Sequence, residues 1–364
     1  MTWYYAYEQD PSDVGARNAG GKARADICAI LAGMGMRALD VPVIANRDQG
    51  GARAKLAAHH AMAGRWQEAV SGLAEGDGLI VQLPAVGHTL FFGRVIKALR
   101  RRRIPLILLV HDLDTLRLAL RQEASLGERT RIQREEATAF SYAAATIVHN
   151  RHMAKAIHEA LGYPMERMVS LELFDYLAPG FAPDERQMPE RDTVVVAGNL
   201  TAQKAGYLYE LPDDVRFDLF GLGLEEGRVG ANVAYHGSFE ADVLPAQLGG
   251  RYGLVWDGPS AVTCTDAYGE YLRINNPHKT SLYLASGLPV VVWDQAAIAD
   301  VVRERGVGVC VASLDELAER LAAVSESEYR QMRERACHVG AELRDGAFTK
   351  RAVARAIDGA NQWG

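Results

Sequence analysis

The chain has 364 residues, more than the roughly 250–300 at which a single hydrophobic core stops growing, so two domains are expected. Hydrophobic residues make up 48% and charged residues 24%, values that exclude a disordered chain and a coiled coil. With 40 basic and 46 acidic residues the net charge is −6, so no nucleic-acid partner is expected.

Targeting signals and cysteine motifs are missing from the sequence. The longest apolar run, residues 104–110, is far shorter than the ~18 residues of a membrane-spanning helix. The start MTWYYAYEQD has neither the basic nor the apolar stretch of a signal peptide. The cysteines have no metal-binding or redox spacing: Cys28, Cys264, Cys310 and Cys337. We therefore expect a cytoplasmic protein without a metal site.

Short runs of aliphatic and β-branched residues alternate with segments of helical periodicity. In chain order the predicted strands are 78–82 (GLIVQ), 106–110 (LILLV), 145–149 (ATIVH), 193–197 (TVVVA), 216–220 (RFDLF), 253–256 (GLVW), 289–293 (PVVVW) and 308–311 (GVCV). Helices are predicted at 22–34, 87–102, 153–161 and 314–323. Continuous apolar runs are typical of strands covered on both faces, and their alternation with helices indicates parallel sheets.

A proline-rich segment divides this pattern. Residues 178–191 read APGFAPDERQMPER, and their prolines exclude regular structure. We expect a linker there, between a domain of residues 1–177 and a domain of residues 192–347. The predicted fold class is α/β, with two Rossmann-like, doubly wound parallel-sheet domains facing each other across a cleft. Ligands of such sheets lie outside the carboxyl ends of the strands, so the residues after each strand are candidates for a site.

The segment NNPHK (275–279) is the strongest candidate for ligand binding. Asn276 suits the N-cap of a helix whose first residue is Pro277, and Gly287 suits its end. A helix N-terminus attracts phosphate, because its N–H groups are free and its dipole end is positive. The two basic residues that follow Pro277 oppose this dipole, which indicates a nearby anion. A solvated lysine beside an ordinary capped helix is the alternative.

Two further sets follow apolar runs of the second half. Gly198 and Asn199 come directly after the strand at 193–197, where a glycine lets a ligand approach the backbone, and Lys204 could reach a phosphate. Tyr235, beside the glycine turn of YHGSF, could stack on a nucleobase. A plain turn and core packing are the alternative interpretations.

In the first half, a glycine turn opens a helix. Asn18, Gly20 and Gly21 lie in the segment NAGGKA, and such a turn tolerates anions. It is not a P-loop, since the GxxxxGK[ST] pattern is absent, and GxGxxG is absent too.

Asp112 follows the most apolar predicted strand, at its carboxyl end. A carboxylate there could act as general base on an incoming hydroxyl group. Helix capping or an ion pair with Arg117 is the alternative. His88 is a similar candidate, and His149 with Asn150 could cap the next helix.

A basic run ends the helix predicted at 87–102. It consists of Arg100, Arg101, Arg102 and Arg103. Cations at a helix C-terminus complement the dipole. The run also fits an anionic membrane surface, which would hold the protein at the inner face of the plasma membrane.

Several segments occur in one order over nearly the whole chain: NAGGKARADI, LLVHDLDTLR, IVHNRHM, VVVAGNL and NNPHKTSLYLASGLPVVVW. Together they resemble a family of bacterial GT-B sugar-nucleotide-dependent glycosyltransferases. The family includes galactofuranosyltransferases of surface-polysaccharide synthesis and glucosyltransferases that extend O-linked GlcNAc on serine-rich adhesins. The resemblance implies a UDP-sugar in the C-terminal domain, an acceptor in the N-terminal domain, and a last helix (348–364) that packs back onto the first domain.

The resemblance also implies which residues bind the donor. They are Asn18, Gly20, Gly21, Gly198, Asn199, Lys204, Tyr235, Asn275, Asn276, His278 and Lys279. Enzymes of this type generally need no metal, and the UDP-sugar is a co-substrate, so no cofactor is expected. The paired glutamates of the commoner retaining pattern are absent, since Glu270 has no matching partner after NNPHK.

The sequence therefore predicts an enzyme that moves a hexose or galactofuranose from a UDP-sugar to a hydroxyl of a glycan, glycolipid or glycoprotein acceptor. Asp112 would deprotonate that hydroxyl if the reaction inverts configuration. A non-catalytic GT-B partner subunit and a GT-B-fold nucleotide-sugar epimerase or phosphorylase are the alternatives. Family precedent favours a homo-oligomer.

Overall fold

The structure is a computed structural model that describes residues 1–9, 19–47, 49–120, 126–184, 188–189 and 192–362. The chain forms two compact units. The first comprises Met1–Ala16, Ile27–Leu171 and Thr349–Gly364, and the second comprises Arg17–Asp26 and Glu172–Phe348. Each unit is built around its own parallel sheet.

Six strands form the sheet of the first unit. They are β1 (Trp3–Gln9), β2 (Arg37–Pro42), β3 (Gly78–Leu83), β4 (Leu106–Val110), β5 (Ala143–Val148) and β6 (Met168–Ser170). Their order across the sheet is β2-β1-β3-β4-β5-β6. The helices between them in sequence are α1 (Ala19–Gly33), α2 (Ala52–Ser71), α3 (Phe92–Arg101), α4 (Asp114–Leu120), α5 (Leu126–Phe140) and α6 (Arg151–Leu161).

Six further strands form the sheet of the second unit. They are β7 (Val194–Asn199), β8 (Phe217–Leu222), β9 (Val233–Tyr235), β10 (Tyr252–Val255), β11 (Val290–Trp293) and β12 (Gly308–Val311), in the order β12-β11-β10-β7-β8-β9. The helices after β7 in sequence are α7 (Ala202–Ala205), α8 (Asp266–Tyr271), α9 (His278–Ala285), α10 (Ile298–Arg305), α11 (Leu317–Ala322), α12 (Glu326–Arg344) and α13 (Ala347–Gln362). From Thr349 onward α13 belongs to the first unit.

The apolar runs form the central strands, as predicted. Every residue of β3, β4, β10 and β11 is buried, which is the pattern of parallel strands covered on both faces. β1 also contributes to the core through Trp3 and Tyr5, whereas Tyr7 is exposed. The edge strands β2 and β6 were not predicted, because their partly exposed residues form no apolar run.

Helix α3 shows why the predicted helices form. Its residues Phe92, Val95, Ile96 and Leu99 are buried, and this i, i+3, i+4, i+7 spacing places them on one face. The helix begins at Phe92, later than the predicted residue 87, because turns at residues 86–87 and 90–91 precede it. No helix in the described ranges is long and apolar enough to span a membrane.

The proline-rich segment has the irregular backbone that its prolines predict. The described residues of 178–191 contain no helix and no strand. The interdomain linker at 178–191 and the domain bounds 1–177 and 192–347 stay predictions.

Candidate functional site

The sheet of the second unit has a topological switch point between β7 and β10. The chain runs from β7 through β8 to β9 on one side and from β10 through β11 to β12 on the other. β7 and β10 are neighbours, with Val194 paired to Tyr252. The loops that leave such a pair diverge and open a crevice at the carboxyl ends, where ligands of these sheets bind.

The two loops at this switch point are hydrogen-bonded to each other. The amide of Gly258, after β10, donates to the carbonyl of Lys204, after β7, over 2.8 Å. The amide of Tyr207 donates to the Gly258 carbonyl over 3.3 Å. Both loops are therefore held in a fixed relation at the carboxyl ends of β7 and β10.

The carboxyl ends of β7 and β8 consist of bare backbone. Gly198 has a φ of 130°, and a Cβ atom added to it would have no neighbour within 4 Å. Gly221, the paired residue of β8, has a φ of 149°, and its added Cβ would lie 1.8 Å from the Gly198 carbonyl oxygen. Only glycine fits both positions, and the open space beside Gly198 leaves room for a ligand.

Helix α9 is buried and held at its carboxyl end by two arginines. All residues from Thr280 to Ala285 are buried. Arg333 of α12 donates to the Gly287 carbonyl over 2.7 Å, and Arg344 donates to the Ala285 carbonyl. These cations complement the negative end of the helix dipole and fix its position.

The amino end of α9 differs in detail from the prediction. Pro277 occupies the N-cap position and the helix begins at His278, so the assignment of Asn276 as the N-cap was wrong. The Asn276 side chain is buried and donates to the Glu172 carbonyl instead. Within the described ranges no side chain caps α9; the Thr280 amide donates to the Pro277 carbonyl over 3.0 Å, and the two amides before it in the first turn are left to other partners.

Lys279 lies beside the carboxyl end of β10. Its ammonium donates to the Trp256 carbonyl over 3.0 Å and to Asp257 Oδ1 over 2.8 Å. The side chains of Lys279 and Asp257 are 15% and 10% exposed. Asp257 partly balances a cation that otherwise opposes the dipole of α9, and an ammonium with two of its three donors engaged retains one for a ligand.

His278 is not a cation at neutral pH. Burial lowers its pKa to about 4, against the effect of the Asp175 carbonyl, which accepts a hydrogen bond from Nε2 over 3.4 Å. Its ring stacks on Tyr176, with centroids 5.1 Å apart. Asn275, three residues before the helix, has a buried Oδ1 with no hydrogen-bond partner among the described residues.

The other predicted donor contacts of the second unit are Asn199 at the end of β7, Lys204 in α7 and Tyr235 at the end of β9. Asn199 accepts a hydrogen bond from the Thr201 amide, and the Lys204 ammonium lies 5.8 Å from the ring centre of Tyr268. The Tyr235 hydroxyl donates to the Gly221 carbonyl over 2.8 Å, so this ring is tied to the end of β8.

The first turn of α1 belongs to the second unit as well. Gly20 and Gly21 lie in that turn. Asn18 lies outside the described residues. Lys22, next to Gly21, contacts the Leu177 carbonyl and Asp242 within the second unit, which the sequence did not predict.

Asp112 lies in the first unit after β4. Its Oδ2 is 3.2 Å from Arg117 Nη1, which is the ion pair considered from sequence. Arg117 also lies 3.8 Å from Asp114. The start of α4 is held by the buried carboxylate of Glu136, which accepts from the amides of Asp114 (2.8 Å) and Thr115 (3.2 Å). Burial raises the pKa of Glu136 to about 7.

Three further residues considered from sequence in the first unit are Asn150, His149 and His88. Asn150 caps α6, as considered from sequence, by accepting from the amides of His152 (2.8 Å) and Met153 (3.0 Å). Burial lowers the pKa of His149 to about 4. His88 Nδ1 lies 3.2 Å from a guanidinium nitrogen of Arg47.

The basic run at the end of α3 divides into two kinds of residue. Arg102 donates to the carbonyls of Ser71 and Leu73 at the end of α2, and Arg103 pairs with Glu75 over 3.2 Å. Arg100 and Arg101 are exposed, with the guanidinium of Arg100 5.3 Å from the ring centre of Tyr142.

The described residues contain no group of three or more His, Cys, Asp or Glu side chains that could hold a metal ion. Asp112 and Asp114, which spell a DxD pattern, share Arg117 instead.

Sequence reasoning missed three residues near the candidate site: Asp257, Lys22 and Tyr176. Asp257 carried a usable signal, because it comes just after the strand at 253–256, where ligand-binding residues of such sheets occur. The i, i+4 spacing of Lys22 and Asp26 was a further signal, whereas the contacts of Lys22 with Asp242 and of Tyr176 with His278 join segments remote in sequence and gave none.

Models of two known protein-domain families match the two halves of the chain. A family model described as the C-terminal domain of glucosyltransferase 3-like proteins matches residues 194–356. The corresponding N-terminal domain matches residues 11–173. The β-1,6-galactofuranosyltransferase WbbI of Escherichia coli K12 is 32% identical over 294 residues, which cover 79% of this chain and 81% of WbbI.

Solved structures with the same architecture include two proteins of low sequence identity. A sucrose-phosphate synthase from Thermosynechococcus elongatus has a TM-score of 0.66 at 14% identity and covers 99% of this chain and 100% of its own. HepE of Anabaena, solved with UDP-glucose, has a TM-score of 0.59 at 16% identity and covers 98% of this chain and 99% of its own. With the two parallel six-stranded sheets, this likeness confirms the predicted GT-B fold class.

The two matched domains and the similarity to WbbI over most of both chains confirm the resemblance first indicated by NNPHK and the segments before it. The chain therefore belongs to the glucosyltransferase 3-like family of glycosyltransferases.

Proposed function

We propose that the chain transfers a hexose or galactofuranose from a UDP-sugar to a hydroxyl group of a glycan acceptor. One observation carries this proposal: the ammonium of Lys279 is held at the carboxyl end of β10, at the switch point of the second sheet. The relatives support the sugars, since the family is named for a glucosyltransferase and WbbI for a galactofuranosyltransferase.

The chemistry of this site suits a diphosphate leaving group. When the bond between the sugar and the diphosphate breaks, negative charge develops on the departing oxygen. The uncapped first turn of α9 offers backbone N–H groups, and Lys279 offers a charged donor. Gly198 lets the diphosphate approach the backbone, because no described residue lies within 4 Å of the place where a Cβ atom would stand. The positive charge that balances the leaving diphosphate is supplied by the chain itself, so we propose a reaction without a metal ion.

The acceptor would be activated in the first unit. Asp112 follows the buried strand β4, at the carboxyl end of the strand, where ligands of parallel sheets bind. Its contact with Arg117 orients the carboxylate. We propose that Asp112 takes the proton of the attacking hydroxyl if the reaction inverts configuration.

The test begins with a panel of UDP-sugars screened for thermal stabilisation, which identifies the donor without knowledge of the acceptor. UDP release is then measured with candidate glycan acceptors for the wild type and for Lys279→Met. We expect the substitution to lower kcat by roughly 10²–10³, as removal of one charge-stabilising donor does in other enzymes. Unchanged turnover in Lys279→Met would contradict the proposed donor site.

The alternatives predict other outcomes. A non-catalytic partner subunit would give no calorimetric heat with UDP. An epimerase would convert the donor without an acceptor. Lys279 in its charge-paired position favours the transferase, since a subunit without donor binding has no need of a largely buried cation at the switch point.

We also propose that the exposed cations of α3 contact anionic lipid. Arg94, Lys97, Arg100 and Arg101 are exposed on this helix, whereas Arg102 and Arg103 have partners within the chain. Cations on one helix attract an anionic surface at low salt. The test is sedimentation with phosphatidylglycerol vesicles, where Lys97→Glu/Arg101→Glu should reduce the bound fraction. Equal binding to phosphatidylcholine vesicles, or no loss in the double variant, would contradict it.

A further inference from the structure

Lys22, in the first turn of α1, lies in a cage of three oxygen acceptors. Its ammonium donates to Asp26 Oδ1 over 2.6 Å and to the Leu177 carbonyl over 2.7 Å, and it lies 2.7 Å from Asp242 Oδ1. The Lys22 side chain is 9% exposed. An ammonium has three N–H donors, so the cage uses all of them. Lys22 therefore has no donor left for a substrate phosphate.

The cage joins three stretches of the chain. Lys22 and Asp26 belong to the first turns of α1, Leu177 belongs to the segment after the first sheet, and Asp242 lies in the turn after β9. The second oxygen of Asp26 accepts from the Leu177 amide over 3.0 Å, which closes the cage on that side. All of these residues belong to the second unit.

Tyr176 extends this arrangement to α9. Its ring centre lies 5.1 Å from the Lys22 ammonium, within the range of a cation–π contact. Its hydroxyl donates to the Ala241 carbonyl over 2.7 Å. The same ring stacks on His278, with centroids 5.1 Å apart and planes inclined by 27°. One tyrosine thus contacts the first turn of α1, the turn after β9 and the first residue of α9.

These connected stretches are the ones proposed to bind the donor. Gly20 and Gly21 precede Lys22, Tyr235 precedes the turn of Asp242, and Lys279 follows His278. We propose that Lys22 and Tyr176 are positioning residues that hold the three donor-binding segments in one arrangement without touching the donor. This inference rests on the proposed function, since it names the residues that organise the same site.

The physical reason is preorganisation. A ligand bound by separate segments must order them when it binds, and an arrangement that is already fixed avoids this cost. The loss of Lys22 should therefore weaken donor binding more than it changes the reaction of bound donor. Burial already raises the pKa of Asp26 to about 6, so this carboxyl can take up a proton when Lys22 is removed, which helps the variant to fold.

The experiment compares four variants with the wild type: Lys22→Met, Lys22→Arg, Tyr176→Phe and Asp242→Asn. Lys22→Met removes the ammonium and keeps the length of the side chain. Tyr176→Phe keeps the ring and removes the hydroxyl bond to Ala241. Asp242→Asn changes the one carboxylate of the cage that is mostly exposed (64%) and keeps the shape of its side chain, so it serves if Lys22→Met fails to fold. The matched control is Lys155→Met, whose exposed lysine lies 3.8 Å from Glu159 on α6.

We measure donor KM, acceptor KM, kcat and the Kd of UDP by calorimetry. Lys22→Met should raise donor KM and the Kd of UDP on the order of tenfold, with acceptor KM unchanged and kcat lowered less than about threefold. Tyr176→Phe and Asp242→Asn should give smaller increases in the same two constants. Lys22→Arg should recover part of the loss, and Lys155→Met should match the wild type.

A merely structural role gives a different result. A less stable variant has fewer active molecules, which lowers kcat and leaves donor KM unchanged, and that outcome in Lys22→Met overturns the proposal. Equal donor KM and UDP Kd in wild type and variants also overturns it, while the activity of the wild type upholds the proposed function. If the wild type binds UDP but transfers no sugar, only the transfer reaction is refuted. The positioning role can then still be tested by comparing the Kd of UDP between the wild type and the variants. A wild type that does not bind UDP refutes both.

Discussion

The ammonium of Lys279 donates to the carboxylate of Asp257 over 2.8 Å, and both side chains are largely shielded from water. A cation in the first turn of a helix opposes the dipole, and the carboxylate reduces this cost. The pair also fixes the direction of a flexible side chain. Asp257 therefore determines where the positive charge of the proposed donor site lies.

Replacement of Asp257 by Asn should weaken donor binding. The amide keeps the shape of the side chain but loses the charge, so Lys279 is held less firmly, and we expect donor KM to rise roughly tenfold. The free energy of unfolding should fall by about 1–3 kcal/mol, because a shielded cation loses its charged partner. Steady-state kinetics and urea denaturation measure the two effects. The exposed pair Arg228–Glu225 provides a control, since Glu225→Gln should change neither quantity. Tighter UDP binding in Asp257→Asn would instead show that Asp257 competes with the diphosphate for Lys279.

Replacement of Asp112 by Asn should lower turnover strongly and leave UDP binding intact. A general base contributes roughly 10²–10⁴ to the rate, and the amide cannot accept the proton. Asp114→Asn is the matched control, because Asp114 lies 3.8 Å from the same guanidinium of Arg117. An equal loss of turnover in the two variants would show that the effect comes from the contacts of Arg117. Unchanged turnover in Asp112→Asn would exclude Asp112 as the general base.

Glu136 should make stability depend on pH. Burial raises its pKa from 4.5 to about 7, so between these values the folded protein retains a proton that the unfolded chain has released. The contribution of this group to stability is therefore fully present below pH 4.5 and falls as the pH rises to about 7. Glu136→Gln removes the titration, so relative to the wild type the variant should gain roughly 3 kcal/mol across this window. Urea denaturation at both ends of the window measures it.

The exposed Glu159 of α6 supplies the comparison for Glu136. Glu159→Gln should leave the difference between the two ends of the pH window unchanged, because its side chain is 64% exposed. A parallel pH dependence in the wild type and Glu136→Gln would show that the carboxyl of Glu136 does not titrate in this range.

Two fully buried tyrosines should respond differently to loss of their hydroxyls. Tyr283 of α9 accepts a hydrogen bond from the Ala197 amide of β7 over 2.7 Å, whereas the Tyr207 hydroxyl has no hydrogen-bond partner in the described part of the chain. Tyr283→Phe leaves a buried amide unpaired and should cost about 1–3 kcal/mol, while Tyr207→Phe should be nearly neutral. Thermal unfolding of the two variants checks this difference, and equal losses would contradict it.

Removal of divalent metal should leave turnover unchanged. Lys279 and the first-turn N–H groups of α9 are proposed to balance the charge of the leaving diphosphate. The measurement is UDP release before and after dialysis against EDTA. A loss of activity that Mg²⁺ or Mn²⁺ restores would contradict this prediction.

The buried strands could be predicted from sequence because parallel strands covered on both faces are continuously apolar. β4 and β12 have the predicted bounds. β2 (RALDVP) has charged and exposed residues, and β6 has three residues, so neither gives a pattern. Their strand structure depends on pairing with β1 and β5, which periodicity does not report.

The candidate site could be predicted in part. Rules for helix starts and strand ends indicated Gly198 and Lys279. Gly198 lies at the end of β7, and Lys279 bonds to the residue after β10, so the two lie on either side of the switch point. The same rules placed Asn276 at the N-cap, whereas its side chain bonds to Glu172. That contact joins residues remote in sequence, as do the contacts of Lys22 with Asp242 and of Tyr176 with His278. Tertiary pairing decided these roles, and single-sequence rules contain no information about it.

The close approach of Gly221 to the Gly198 carbonyl limits how this protein can be re-engineered. Any side chain at either position disturbs the backbone, through collision at Gly221 and through an unfavourable φ at both. A mutant library that aims to change the sugar preference should therefore keep glycine at both positions. Diversity is better placed at the neighbouring Leu222, whose backbone pairs with β7 but whose side chain is 57% exposed and can be varied.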